Sequence, residues 1–148
     1  MRSSCFALFL LSGPAAAWEF TPYPICTLFH QGAEMAVAVT YDARVPEYKI
    51  RLSREEGWPD GPVFALRFEG ARNLTISTDR HMIDPQDTRN LVVRDRGFGN
   101  VLNGLQFNTR AVASIGGLDI PVSLVGAAPT VRAFRACPLD NLVEAHLR

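Results

Sequence analysis

The chain has 148 residues, and its 15 basic side chains balance its 15 acidic ones. Hydrophobic residues make up 47% of it, which is enough for a single domain with one sizeable core. Balanced charge gives no general attraction to nucleic acid or to an anionic membrane surface, so neither is an expected partner.

Residues 1–17 have the pattern of a secretory leader. A basic residue is followed by an apolar run from Phe6 to Leu11 and by three alanines before Trp18. This order is typical of a signal peptide and predicts a mature exported domain of residues 18–148. No second apolar stretch approaches the ~18 residues that a membrane span needs. The sequence therefore predicts a periplasmic or secreted protein without a membrane span.

Only Cys26 and Cys137 remain once the leader is removed, near the two ends of the mature chain. Closing a loop of about 100 residues restricts the unfolded chain by ~4.7 kcal/mol in the entropy model. A reactive thiol is the alternative. However, Cys137 ends an apparent helix, where the dipole disfavours a thiolate, and no C-x-x-C motif is present. In an exported chain this pattern predicts a structural Cys26–Cys137 disulfide.

Apolar and polar residues alternate with a period of two over most of the first two-thirds of the mature chain, as in half-buried antiparallel strands. Turn-forming residues such as Gly57–Pro62 and Gly116–Gly117 separate these segments. The predicted strands cover Ala33–Tyr41, Tyr48–Leu52, Phe64–Phe68, Leu74–Thr78, Leu91–Asp95, Arg110–Ile115 and Leu118–Leu124.

Two segments have helical periodicity instead. Asn100–Phe107 places its large apolar side chains on one face, although Gly104 weakens the helical preference. Ala128–Cys137 has a proline in its first turn and an apolar stripe that includes Cys137, and Pro138 is predicted to end it. The fold class is therefore mainly β, an antiparallel β-sandwich or strongly bent sheet with one or two short capping helices and one disulfide.

Three aromatic residues lie close to the predicted mature N-terminus: Trp18, Phe20 and Tyr23. If exposed, they form a partner-binding strand or patch, and if folded back they cover the edge of the sandwich. A disulfide at Cys26 favours the folded-back arrangement, because it anchors the segment to the core.

Asp79 and His81 are the weak candidates for catalysis, since with Ser77 they lie on one face of a strand. Ser77 and His81 are then ~13 Å apart at ~3.3 Å per residue, too far for a nucleophile and its base. Asp79 and His81 can still meet each other. We interpret them as a surface pair beside a turn.

No metal site or cofactor is predicted. Cys26 and His30 have a spacing that suits ligands on a helix, but the segment reads as extended and separates them by ~13 Å. The three histidines come from unrelated segments, and no nucleotide-binding motif is present.

The most suggestive ligand-binding segment is Arg94-Asp-Arg-Gly-Phe-Gly-Asn100. Gly97 and Gly99 precede a predicted helix, and Arg94 and Arg96 flank them, so this segment can offer N–H groups and guanidinium groups to an anion. The alternative interpretation is a strand-to-helix turn in which Asp95 pairs with an arginine. The anion-binding candidates are thus Arg94, Arg96, Gly97, Gly99 and Asn100.

Four segments of the chain carry a resemblance to known sequences: Trp18–Leu28, Thr75–His81, Asp95–Leu102 and Ala133–Pro138. They resemble a family of short, uncharacterised exported proteins of alphaproteobacteria. Some members of that family carry the label of an excinuclease component, which implies a large cytosolic ATP-dependent repair protein. The leader and the lack of a Walker motif contradict that label here.

A second similarity covers Ile120–Gly126 and Val131–Cys137. These residues are similar to the C-terminal strand, turn and Cys-ended helix of the invasion-associated locus B family, which are periplasmic β-rich proteins. The resemblance implies a fold, and it carries no functional residue across.

These observations favour a periplasmic non-enzymatic binding or envelope-accessory protein whose partner is an unknown envelope protein or small ligand. Two alternatives stay open. One is a small periplasmic hydrolase that uses Asp79 and His81, and the other is an anion-binding module at Arg94–Asn100.

Overall fold

In the computed structural model, the described part of the chain is residues 17–146, with side chains described as far as Cys137. The predicted signal peptide, residues 1–17, lies outside the described residues except for Ala17. The elements in chain order are β1 (Glu19–Thr21), β2 (Cys26–Gln31), β3 (Ala36–Asp42), β4 (Glu47–Ser53), β5 (Phe64–Gly70), β6 (Leu74–Thr78), β7 (Met82–Asp84), β8 (Asp87–Asp95), α1 (Gly99–Phe107), β9 (Asn108–Ile115), β10 (Leu118–Ser123) and α2 (Ala127–His146).

The strands form two antiparallel sheets. One has six strands in the order β1-β2-β3-β4-β8-β7, and the other has four in the order β10-β9-β5-β6. The chain crosses between the sheets after β4, after β6 and again through α1. Buried side chains from both sheets and both helices belong to one hydrophobic core, so the predicted mainly β fold is confirmed.

The period-two alternation predicts the buried faces correctly. Ile50 and Leu52 of β4 are buried, and so are Phe64, Leu66 and Phe68 of β5. Polar neighbours such as Arg51 and Arg67 face solvent. Two strand boundaries differ by three or more residues, because β8 begins at Asp87 rather than Leu91 and β3 begins at Ala36 rather than Ala33. The N–H of Gly32 donates to the carbonyl of Met35 at 2.9 Å and closes a turn over the residues between them.

The predicted first helix is confirmed as α1, which packs on β5, β6 and β9. Its buried residues include Gly104, the residue that weakened the prediction. A methyl group at this position would overlap the ring of Phe68, which is fully buried. Glycine at this position therefore lowers the helix propensity of α1 but allows α1 to pack closely on the four-stranded sheet.

Gly104→Ala is expected to lower the free energy of unfolding by about 1–2 kcal/mol, because overpacking outweighs the gain of about 1 kcal/mol in helix propensity. Urea denaturation measures the change. Gly97→Ala is the matched control, since a Cβ at Gly97 meets no atom within 4 Å. A Gly104→Ala protein as stable as the wild type would contradict this account of α1 packing.

The second helix extends beyond its predicted end. Pro129 lies in its first turn as predicted, but α2 continues through Pro138 to His146, so the prediction that Pro138 ends the helix is wrong. An interior proline removes its own N–H from the helical hydrogen bonds and crowds the carbonyl four residues earlier, but its fixed φ is compatible with a helix. The helix packs on β1 and β2 of the six-stranded sheet.

The predicted disulfide is confirmed. Cys26 on β2 is bonded to Cys137 on α2, with the two Cα atoms 6.1 Å apart and a sequence separation of 111. Both cysteines are buried. The bond therefore joins the start of the six-stranded sheet to the helix that covers it.

The N-terminal aromatic segment folds back, as the disulfide suggested. Trp18 is 5% exposed, stacks on His30 with 4.7 Å between the ring centroids, and donates from Nε1 to the carbonyl of Ser123. Phe20 packs against the core, whereas Tyr23 is 71% exposed. The contact between Trp18 and Ser123 joins the segment that leads into β1 to the end of β10.

Candidate functional site

The opposite side of the sandwich is open and holds an apolar cleft. The cleft has a volume of about 420 Å³ and lies where β6 of the four-stranded sheet faces β8 of the six-stranded sheet. This volume is within the range of about 300–1,000 Å³ that is usual for small-ligand sites. Its apolar wall consists of Ile50, Phe64, Leu66, Ile76, Val93, Phe98 and Val101.

The floor of the cleft is buried, whereas its walls near the mouth are partly exposed. Ile50 and Phe64 are 2% exposed, whereas Ile76 and Val93 are only partly buried. Phe98 lines the cleft, and its buried ring stacks on the ring of Tyr48 with 5.4 Å between the centroids. A ligand would therefore meet preformed apolar side chains without having to open the core.

An ion pair spans the mouth of the cleft. Nη2 of Arg80, between β6 and β7, donates to Oδ2 of Asp95, the last residue of β8, at 2.8 Å. The pair thereby joins the segment between β6 and β7 to the end of β8. The side chains are 66% and 41% exposed, so the pair contributes less than about 1 kcal/mol to stability.

The carboxyl group of Asp95 is held in its ionised form. The backbone N–H of Arg96 donates to Oδ1 of Asp95 at 2.7 Å and lowers the pKa of this carboxyl below its ordinary value of 3.8, and the charge of Arg80 lowers it further. A lowered pKa means that the fold stabilises the carboxylate at neutral pH. This contribution is lost as the pH falls through the lowered pKa.

The predicted anion-binding residues do not converge on one point. Arg94 lies on the outer face of β8, where its Nε is 3.5 Å from Oε1 of Glu47. Arg96 is exposed, and only its backbone N–H has a described hydrogen bond. Gly97, Gly99 and Asn100 instead line the mouth of the apolar cleft.

The backbone conformation at Gly97 and Gly99 does not require glycine. Neither Gly97 nor Gly99 has a positive φ, and a Cβ on either would meet no atom within 4 Å. Their effect is to leave the mouth of the cleft open. The predicted pairing of Asp95 with an arginine is present, and the partner is Arg80.

The weak catalytic candidates are not brought together. Asp79 is exposed and has no described hydrogen bond, and Ser77 is also exposed. His81 interacts through Nε2 with the carbonyl of Gly61 at 2.9 Å, so Nε2 carries the proton in this contact. The other ring nitrogen, Nδ1, is buried without a partner. This arrangement contains no base paired with a nucleophile.

Metal-binding residues do not cluster either. Among residues 17–137, no group of three or more His, Cys, Asp or Glu side chains is placed to hold a metal ion. Cys26 is bonded to Cys137, and His30 is stacked on Trp18. No helix in the described range combines the length and hydrophobicity of a membrane-spanning segment.

Sequence reasoning identified the strands of the cleft walls but not the cleft. Ile76 lies on the predicted apolar face of its strand, and Arg80 has no predicted role. One feature of the sequence could have indicated the site. Edge strands usually carry charged residues or proline, but β6, an edge strand with the sequence Leu74-Thr-Ile-Ser-Thr78, contains neither.

Comparison with known proteins finds no matching family model, no matching curated protein and no matching solved structure. The resemblances to the exported alphaproteobacterial proteins and to the invasion-associated locus B family therefore stay predictions.

Proposed function

We propose that this chain is an exported, non-enzymatic binding protein, periplasmic or secreted, and that the apolar cleft is its binding site. The observation that carries the proposal is the cleft itself, open on one side and lined by apolar side chains of both sheets. Buried apolar surface is the main source of affinity in such sites, and a few polar groups set the orientation.

Two other observations support export and binding. The disulfide is of the kind that persists in oxidising compartments, in agreement with the leader-like pattern of residues 1–17. Asp79 and His81 do not pair, and Arg94 is paired with Glu47, so neither the hydrolase nor the anion-binding module is favoured. The ligand is a compact apolar group, either of a small molecule or of a protein in the envelope.

The test uses decanol as a neutral apolar probe and two matched variants. Ile76 and Leu74 lie on the same face of β6 and are both partly buried, but only Ile76 lines the cleft. Ile76→Ala is expected to weaken decanol binding about fivefold, since it removes about 1 kcal/mol of apolar contact. Leu74→Ala is expected to leave the binding unchanged.

Binding is measured by NMR titration of the oxidised protein, with shifts expected at the amides of Ile76, Val93 and Phe98. Shifts scattered over the surface, or equal weakening by the two variants, would contradict the assignment of the cleft. Turnover of ester, peptide or glycan substrates at enzyme-like rates would contradict the non-enzymatic function.

A further inference from the structure

Charged and polar side chains line the mouth of the cleft. Arg80 and Asp95 are the only charged residues among those that line it in the described part of the chain. Ser77 and Asn100 add a hydroxyl and an amide, both exposed and without a described hydrogen-bond partner. The site is therefore apolar inside and rich in hydrogen-bond donors at its opening.

The two charges at the mouth are not equally available. The carboxylate of Asp95 already accepts hydrogen bonds from the backbone of Arg96 and from Arg80. A guanidinium has five N–H donors, and the Arg80 side chain is 66% exposed, so most of its donors face solvent at the opening. An anion can bind Arg80 while the Arg80–Asp95 pair persists, whereas a cation would have to approach Asp95 against the charge of Arg80.

We propose that the ligand is an amphiphile with an apolar chain and an anionic end group such as a carboxylate, with the chain in the cleft and the end group on Arg80. This inference rests on the proposed function and adds the chemical class of the ligand. Arg80 then acts as the anchor that fixes which end of the ligand faces solvent. The negative charge of Asp95 repels the same end group, so the two residues have opposite effects on binding.

Three probes with the same chain length separate the chemical classes: decanoate, decanol and decyltrimethylammonium. Each is titrated below its micelle concentration into the oxidised protein by isothermal calorimetry at neutral pH. Decanoate is expected to bind about three- to tenfold more tightly than decanol, the range for one partly exposed charged hydrogen bond. Decyltrimethylammonium is expected to bind more weakly than decanol. The preference for decanoate is expected to decrease as salt is added.

Two variants at the mouth are expected to change the affinity for decanoate in opposite directions. A general loss of structure would weaken binding in both variants. Arg80→Gln is expected to remove the preference for decanoate over decanol when both are measured on this variant. Asp95→Asn is expected to increase the preference for decanoate over decanol, because it removes a carboxylate that repels the end group. Arg94→Gln is the control, since Arg94 is also exposed and paired but does not line the cleft.

The outcomes distinguish this inference from the proposed function. Equal binding of decanoate and decanol, tighter binding of the cationic probe, or loss of decanoate affinity in Asp95→Asn would overturn the anionic class while leaving the apolar cleft intact. If none of the three probes shifts the amides around the cleft, both proposals fail. An extended peptide that binds beside β6 when decanoate does not would also overturn the inference.

Discussion

A protein carrying both Cys26→Ala and Cys137→Ala is expected to lose about 4 kcal/mol of its free energy of unfolding. The bond closes a loop with a sequence separation of 111, which spans most of the described chain. In the entropy model its main effect is to restrict the unfolded chain. Because small domains have only about 5–15 kcal/mol of stability, this loss would leave the protein marginally stable.

The effect of the disulfide on the unfolded chain can be measured separately. Without the bond the denatured chain expands and exposes more surface, so the dependence of stability on urea, the m-value, is expected to increase. Equilibrium urea denaturation of the double variant and of the oxidised wild type measures both quantities. The wild type denatured in the presence of a reductant is the control and is expected to match the variant. A loss below about 1 kcal/mol would contradict a stabilising role.

The cleft lies away from this bond, at the side of the sandwich where β6 and β8 face each other. The double variant is therefore expected to retain decanol binding under conditions in which it is folded. Retained binding also shows that the stability measured for the variant refers to the same fold.

The periodicity of the sequence predicts seven of the ten strands in the described residues, and β1, β2 and β7 are not among them. In β4, Ile50 and Leu52 are buried while the intervening Arg51 is exposed, as the alternation requires. The disulfide is also predictable, because only two cysteines follow the leader-like segment. The three-residue strand β7 is too short to show a periodicity, so no local pattern indicates it.

The cleft depends on strand order, which local patterns do not contain. Ile76 and Val93 have the periodicity of ordinary core residues, and they are partly uncovered because a six-stranded sheet faces a four-stranded one. The Arg80–Asp95 pair joins the segment between β6 and β7 to the end of β8, 15 positions further along the sequence. Only the chain crossing between β6 and β7 brings them together. Prediction of the site therefore required the topology in addition to the strands.

The second large loss of stability is expected when the packing of α2 is disrupted. Phe134 is fully buried, shares the inward stripe of α2 with Val131 and Cys137, and lies 6.2 Å from the ring of Tyr48 between centroids. Phe134→Ala is expected to lower the free energy of unfolding by about 3–5 kcal/mol, since it removes a large apolar side chain and leaves a cavity. Phe29→Ala is the matched control, because Phe29 is 39% exposed, and the expected loss is about 1 kcal/mol or less.

Phe134 and the disulfide hold the same helix by different physical means, and urea denaturation separates them. Phe134 acts in the folded state, so Phe134→Ala is expected to leave the m-value unchanged, whereas loss of the bond raises it. Both anchor α2, so combining Phe134→Ala with loss of the cysteines is expected to cost less than the sum of the separate losses. Full additivity would show that α2 stays docked when either anchor is removed, and would contradict the view that the two anchors cooperate.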